Sequence, residues 1–382
     1  MKPKFFITTT VARSLSFFQG QPQLWKTDFE VTAIAAEEDK LKEFAKSEEI
    51  NYKYIPMHRE ISLLSDLCCL FRFLILFIKE RPKVVHGNTP KASMLSMLAA
   101  WITRRPVRIY MCHGLRYQTT TGLLRRVLRT MEWISCHCAT HVIGVSHGVA
   151  DQLVSDGLCN SNKIRVIGHG SAGGIDINKF SRDALVDSTQ NIREDLRISA
   201  EDFIFCFVGR IVKDKGINEL VEAFDKLSKE YENVHLILIG PEEGDSDPIS
   251  AESKELIESH RHIYFLGRQN DVRPYIAASN ALVLPSYREG FGQVILEANA
   301  LDVPCIATDI VGPRDVIEPM VNGELVKVRD VHSIYQKLKG WVENPSFVKE
   351  MGMTSRDYVA SRFAKDIVRN NYYQEYCRLA DL

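Results

Sequence analysis

A chain of 382 residues exceeds what one hydrophobic core ordinarily organises, so two domains of usual size are expected. Apolar content of 45%, charged content of 25% and a net charge of −1 are those of a soluble globular protein, which excludes disordered and fibrous classes. The nine cysteines form no Cys-x-x-Cys pair and, with the histidines, no zinc-finger spacing, which excludes a zinc module of that kind. Cys136-His137-Cys138 comes nearest to a metal cluster and reads better as a buried apolar patch. Cysteines inside apolar runs point to a reducing cytoplasm. Met1 leads straight into a strand, with no leader peptide expected.

Runs at 4–9, 30–35, 52–56, 83–86, 107–112, 141–145 and 163–167 are short and β-rich, and helical stretches separate most of them. This alternation predicts a parallel sheet covered on both faces. Residues 63–78 form the most apolar stretch. Asp66 and Arg72 interrupt it, and its unbroken runs fall short of the ~20 residues that span a bilayer. Two readings stay open: a buried or interface helix, or a helix lying on a membrane, helped by Lys79, Arg81 and the basic segment that follows. From Arg81 to Met131 there are ten Lys or Arg and no Asp or Glu. Such a surface attracts nucleic acid, anionic lipid or phosphorylated substrates. Little aromatic interleaving argues against single-strand binding, which favours an anionic membrane surface or a diphosphate, with no nucleic acid as partner.

Within that segment, His86-Gly-Asn-Thr-Pro-Lys-Ala92 lies at a strand's C-terminal end, where open α/β sheets place ligands. Thr89 and Lys91 read either as contacts to an acceptor phosphate or as a helix cap and a surface lysine. His113, followed by Gly114 after the next strand, is a site candidate beside the commoner reading of a satisfied core histidine. Arg116 follows it on the same loop. Ser146 stands where a helix N-cap belongs. The glycine-rich stretch 167–176 is a hinge candidate, and a domain boundary is expected near residue 170.

The second half restarts with a strand at 203–209. Arg210 and Lys215 bracket the loop beyond it, and a helix over 218–231 carries Leu220, Phe224 and Leu227 on one face. A strand at 234–240 precedes an acidic loop over 241–248, and a strand at 263–267 precedes Arg268. The apolar run Ala281–Leu284 then stops at Pro285. A loop with Gly290 and Gly292 follows, and helical spacing begins at Gln293. Strand, glycine loop and helix start together present backbone N–H groups to an anion. Glu289 and Glu297 flank that loop, and their carboxylates accept hydroxyl hydrogen bonds while amides hold phosphate. The combination suits a nucleotide sugar, although flanking glutamates are more often simply solvated. A terminal helix is expected over 358–382.

Glu289-Gly-Phe-Gly292 followed by Glu297 resembles the E-x7-E signature of retaining glycosyltransferases of the GT-B fold, specifically the large family four. Ser286 and residues 298–304 read likewise. Gly209-Arg210 with Lys215-Gly216 is similar to the family's G-R-x-x-x-x-K-G, residues 268–275 to its base-contacting turn, and 306–309 with 312–315 to its next strand and helix start. The 86–92 block resembles one in members acting on lipid-linked saccharides. The first loop departs from the family, with Gly20 alone where a Gly-Gly pair is usual and Phe17 and Phe18 nearby. Gly173-Gly174-Ile175-Asp176 lacks the side-chain amide of N-G-[VI]-D.

The resemblance implies an α/β GT-B fold of two Rossmann-like, doubly wound parallel-sheet domains facing each other across a cleft. An acceptor domain would span 1–170, a nucleotide-sugar domain 171–357, and a closing helix 358–382. Arg210 and Lys215 would neutralise the leaving diphosphate, aided by Arg268 and by the backbone at Gly290, Phe291 and Gly292. Glu289 would hold the sugar hydroxyls and Glu297 the ribose. His113 would lie beside the reaction centre, with Thr89, Lys91 and Arg116 toward the acceptor. No D-x-D pair lies near the donor loops, Asp245-Ser246-Asp247 falling in a surface loop, so no metal or other cofactor is expected. The implied reaction is retaining transfer, the leaving phosphate taking the acceptor proton. The donor would be a UDP-linked hexose or N-acetylhexosamine, and the acceptor a polyprenyl-diphosphate-linked saccharide of bacterial surface polysaccharide or capsule. The enzyme would sit peripherally on the cytoplasmic membrane's inner face. A GT-B epimerase and a non-catalytic membrane-recruited binding protein remain as alternatives. A dinucleotide oxidoreductase is disfavoured, since no strand is followed by G-x-G-x-x-G.

Overall fold

A computed structural model describes residues 2–58, 60, 62–242 and 247–382, apart from the side chain of residue 187. The chain forms two compact units, Met1–Gly174 with Asp366–Leu382, and Ile175–Lys365. The first holds β1 (Lys4–Val11), β2 (Glu30–Ala36), β3 (Asn51–Tyr54), β4 (Val84–Gly87), β5 (Val107–Cys112), β6 (His141–Gly144) and β7 (Ile164–Val166). These pair in parallel in the order β3-β2-β1-β4-β5-β6-β7. Its helices are α1 (Gln21–Trp25), α2 (Glu38–Glu48), α3 (Leu63–Glu80), α4 (Pro90–Ile102), α5 (Gly122–Cys138) and α6 (His147–Ser155). Alternation along β1 sends neighbouring side chains to opposite faces. Phe6 meets Phe77 of α3 at 6.1 Å between ring centroids, while Phe5 meets Trp25 at 5.0 Å and Tyr376 at 5.2 Å. Both faces of the sheet are therefore covered at its centre, where β1, β4 and β5 are largely buried, whereas the edge strand β3 is exposed.

The second unit holds β8 (Phe203–Val208), β9 (Val234–Ile239), β10 (Ile263–Phe265), β11 (Ala281–Leu284), β12 (Cys305–Thr308) and β13 (Gly323–Val326), ordered β10-β9-β8-β11-β12-β13. Its helices are α7 (Val186–Asp195), α8 (Ile217–Ser228), α9 (Ala251–Ser259), α10 (Arg273–Ala278), α11 (Gln293–Ala300), α12 (Pro313–Val316), α13 (Val331–Glu343) and α14 (Pro345–Phe363). The expected α8 face is present: Leu220, Phe224 and Leu227 are buried. In both sheets the strand order reverses once, between β1 and β4 and between β8 and β11. At such a switch point the loops diverge to opposite faces and leave a crevice beyond the strands' C-terminal ends.

The expected helix over 358–382 is two helices, α14 and α15 (Lys365–Leu379). No glycine or proline marks the break. Ala364 takes an extended backbone, the Ile175 N–H donates to Phe363 O at 2.8 Å, and the Lys365 N–H donates to Ile175 O at 2.8 Å. A distant backbone segment supplies the interruption, which local sequence does not encode.

Candidate active site

In the second unit the loops after β8 and β11 meet at the switch point. Lys215 Nζ lies 2.5 Å from Glu289 Oε1, and Ser286 Oγ donates to the same oxygen at 2.8 Å. Arg210 stands 3.8 Å from Asp214, whose other carboxylate oxygen receives Arg288 at 3.1 Å. The Asp214 N–H donates to Asp247 Oδ2 at 2.6 Å, and the Tyr287 N–H donates to Asp214 O at 2.8 Å. Asp247 thus closes the β8 loop, whereas residues 245 and 246 of the expected D-x-D stretch lie outside the described residues.

Two glycines permit this approach. Gly216 has φ +72°, and a Cβ there would lie 2.1 Å from Pro285 O, so only a hydrogen lets the two loops touch. Gly312, at φ +95°, would press a Cβ to within 3.0 Å of Gly290 C and Phe291 N. The glycine loop is thereby held between the β8 and β12 loops. Gly292 caps α11 with φ +88° and contributes no side chain, so no cap side chain stands at the helix start. Phe291 is buried and packs edge-on against Phe363 at 5.5 Å.

Glu297 lies on α11, partly buried, and burial pushes its carboxyl up to about 7, with Lys179 partly opposing. Arg268 is exposed after β10 and has no partner among the described residues. Lys215, Glu289 and Arg210 therefore converge on one crevice. Glu297 belongs to the helix that the crevice caps, and Arg268 stands on the neighbouring strand end. Sequence reading notes Ser286 only as part of the family resemblance and passes over Asp214 and Arg288. The i,i+4 spacing of Arg210 and Asp214 is a signal that exists, but it lies in a loop where that spacing ordinarily carries no weight.

In the first unit, His113 follows β5. Its Nε2 is 3.4 Å from Asn88 Oδ1, Phe17 stacks on its ring at 5.3 Å, and Phe18 meets it edge-on at 6.1 Å. Burial lowers its pKa to about 4, so the imidazole is neutral near pH 7. Asn88 Nδ2 is 2.9 Å from His86 Nδ1, and His86 Nε2 is 3.0 Å from the Tyr376 hydroxyl. Asn88 Nδ2 donates to His86 Nδ1 and Asn88 Oδ1 accepts from His113 Nε2–H, an assignment that leaves His113 Nδ1 as a lone-pair acceptor. Asn88 sits inside the 86–92 block, yet nothing in that block distinguishes it from a loop asparagine.

The acceptor-side candidates divide. Thr89 Oγ1 accepts the Thr10 N–H at 2.8 Å and contacts Thr10 Oγ1 at 2.7 Å, tying the β1 and β4 loops together. Lys91 is 4% exposed, with Nζ 2.7 Å from Asp66 Oδ1 and donating to Glu60 O. It is neither the expected surface lysine nor placed to meet a phosphate, because its ammonium is spent on α3. Arg116 is exposed, with no partner among the described residues.

Residues 188–358 match the family model described as glycosyl transferases group 1, and residues 22–171 match glycosyltransferase family 4. Over 366 residues the chain is 34% identical to the capsular polysaccharide biosynthesis glycosyltransferase CapM of Staphylococcus aureus, covering 96% of this chain and 94% of that one. The chain belongs to glycosyltransferase family four. A further relative of the family-four chain is the UDP-Gal:alpha-D-GlcNAc-diphosphoundecaprenol alpha-1,3-galactosyltransferase of Escherichia coli, 24% identical over 81% of this chain and 79% of that one. Among solved structures, Anabaena HepE in complex with UDP-glucose is similar over 100% of both chains, with a TM-score of 0.79 at 19% identity. The family-four fold is the α/β GT-B fold.

Proposed function

We propose that this family-four glycosyltransferase moves a hexose or N-acetylhexosamine from UDP to a polyprenyl-diphosphate-linked saccharide, with retention, in bacterial surface-polysaccharide assembly. The observation that carries the reading is the Lys215–Glu289 pair, 2.5 Å apart at the β8/β11 switch point beside Arg210. An acid, two cations and a glycine-led helix start meet there, as a diphosphate flanked by hydroxyl-bearing sugars requires. The name of the Escherichia galactosyltransferase supports the acceptor class, and that of the Staphylococcus relative supports the capsular-polysaccharide setting.

In this reading Arg210, Lys215 and the backbone from Gly290 to Gly292 take up the charge on the departing UDP, with Arg268 near the base. Glu289 accepts hydrogen bonds from the transferred sugar and Glu297 from the ribose. The bond from the anomeric carbon to the β-phosphate oxygen breaks while the acceptor oxygen bonds to the same face. The acceptor proton passes to the leaving phosphate oxygen. Neutral His113 lines the sugar, Arg116 meets the acceptor diphosphate, and Thr89 shapes that loop. Fixed cations carry the leaving-group charge without a metal, and the acceptor's lipid places the enzyme at the anionic inner face of the cytoplasmic membrane.

The test incubates the chain with a panel of nucleotide sugars, with and without polyprenyl-diphosphate acceptors, and reads products by mass spectrometry and anomeric NMR. Acceptor-dependent release of UDP with a retained linkage is expected. An altered nucleotide sugar without acceptor would identify an epimerase, and binding without turnover a non-catalytic protein. Lys215→Ala and Glu289→Ala are each expected to lower transfer by about 100-fold or more with unchanged circular dichroism. Transfer is expected to persist in EDTA; loss restored by magnesium or manganese would overturn the metal-free account.

A further inference from the structure

Helix α3 carries far more apolar surface than its packing uses. Its inner face buries Asp66, Cys69, Phe73 and Phe77. Its outer face leaves Leu63, Leu64, Leu67, Phe71, Ile75 and Ile78 in solvent, Leu63 and Leu64 more than 80% exposed. At 100° per residue those six fall within an arc of about 120°. Single exposed apolar residues are ordinary, but a stripe running along most of an eighteen-residue helix marks a contact surface. No helix among the described residues is long and apolar enough to cross a membrane.

The exposed charges on α3 itself are of one sign, while Glu60 is exposed three residues before the helix begins. Arg72 and Lys79 on α3, and Arg81 just beyond it, are exposed. The helix's two acids are withdrawn, Asp66 to Lys91 at 2.7 Å and Glu80 to Lys4 at 2.5 Å. α4 packs between α3 and α5, and the first turn of α5 exposes Leu123, Leu124, Arg125 and Arg126. A second copy of this face would set Arg72, Lys79 and Arg81 against their equivalents with no helix carboxylate to neutralise them. A bilayer bearing anionic headgroups satisfies both features at once. The 81–131 segment does less of this than its sequence promises. Lys83, Lys91 and Arg129 pair with Asp381, Asp66 and Asp156, and Arg105 and Arg108 donate to backbone carbonyls.

We propose that α3 lies in the plane of an anionic membrane interface, its Leu64–Phe71–Ile75 stripe among the acyl chains and Arg72, Lys79 and Arg81 at the phosphates. This deepens the reading of a lipid-linked acceptor and rests on it for purpose, while the lipid contact itself is measured without any acceptor.

The test is flotation of the full chain with phosphatidylcholine vesicles, with and without phosphatidylglycerol. Binding to the anionic vesicles, weakened by salt, is expected. The triple variant Leu64→Gln, Phe71→Gln, Ile75→Gln should lose at least tenfold in vesicle binding with little change in melting temperature, because those side chains are 82%, 56% and 66% exposed. Arg72→Gln with Lys79→Gln should remove most of the salt dependence. Transfer to a short-chain, water-soluble diphosphate acceptor should be unchanged in the triple variant, while transfer to a long-chain acceptor in vesicles should fall. Undiminished vesicle binding by the triple variant would overturn the proposal. So would a wild-type dimer, seen by light scattering, that fails to bind vesicles and becomes monomeric in the variant. Wild-type chain that binds vesicles but transfers to no acceptor would count against the transferase reading and leave the docking face standing.

Discussion

At the scale of single residues, Glu297 couples the proposed donor site to pH. Burial holds its carboxyl near 7, above the ordinary 4.5. A carboxylate accepts hydroxyl hydrogen bonds at both oxygens, whereas the protonated acid loses part of that capacity. The KM for the donor is therefore expected to fall as pH rises from 6 to 8. Glu297→Gln should show a pH-independent KM near the wild-type low-pH value, roughly 10-fold or more above the high-pH one, since a charge-assisted hydrogen bond contributes about 1.5–3 kcal/mol. Stability runs the other way. Between 4.5 and 7 the folded chain keeps a proton that the unfolded chain has lost, so this group's contribution declines as pH rises through that interval. Melts at pH 6 and pH 8 should show Glu297→Gln gaining on the wild type at the higher pH. A wild-type KM flat across pH 6–8 would remove Glu297 from donor binding.

At the scale of elements, the site depends on loops that only glycine lets touch. Gly216→Ala combines a left-handed φ with a Cβ placed 2.1 Å from Pro285 O, so the β8 loop must lift off the β11 loop. Strain of about 1–3 kcal/mol is expected in denaturant melts, with UDP binding by calorimetry reduced by more than that strain accounts for. Gly157→Ala is the control. It shares a positive φ of +69°, but an added Cβ there meets nothing within 4 Å, so only the backbone cost of about 1 kcal/mol should appear. Equal losses of UDP binding in the two variants would show that the close approach is not what matters. These elements also show what a sequence reveals. Strand, glycine loop and helix at 281–300 are contiguous, so their chemistry is local and readable, and so are central strands such as β8, β9 and β11, which are almost wholly apolar. Burial of Lys91 is not legible because its partner Asp66 lies on another helix, nor is the engagement of Arg105 and Arg108 by backbone carbonyls within the basic segment. The break at Ala364 and the Asn88–His113 contact were invisible for the same reason. Each is set by a group brought near only by the folded sheet.

At the scale of the molecule, the two units differ in how the chain builds them. The second is one continuous stretch, Ile175–Lys365, with its own sheet and core. The first needs the chain's end: Tyr376 packs on Phe5, Trp25 and His86, the Tyr372 hydroxyl donates to Ser171 O at 2.8 Å, and Lys83 pairs with Asp381. Truncation after Lys365 is therefore expected to strip hydrogen-exchange protection from β1–β7 while leaving β8–β13 protected and UDP binding within about twofold. Retained protection in β1 and β4, or lost UDP binding, would contradict this division.

The Lys215–Glu289 contact joins positions 74 residues apart, on strands that become neighbours only when β11 enters between β8 and β12. Such non-local pairing forms late, because the loop between must close before any contact repays it. On the proposed function, a chain still being synthesised would have no grip on a nucleotide until it has been made past Thr308. A nucleotide held at the proposed donor site would then select the completed sheet over every partly assembled form, and its cellular concentration would become a term in how much of the newly made chain stays folded.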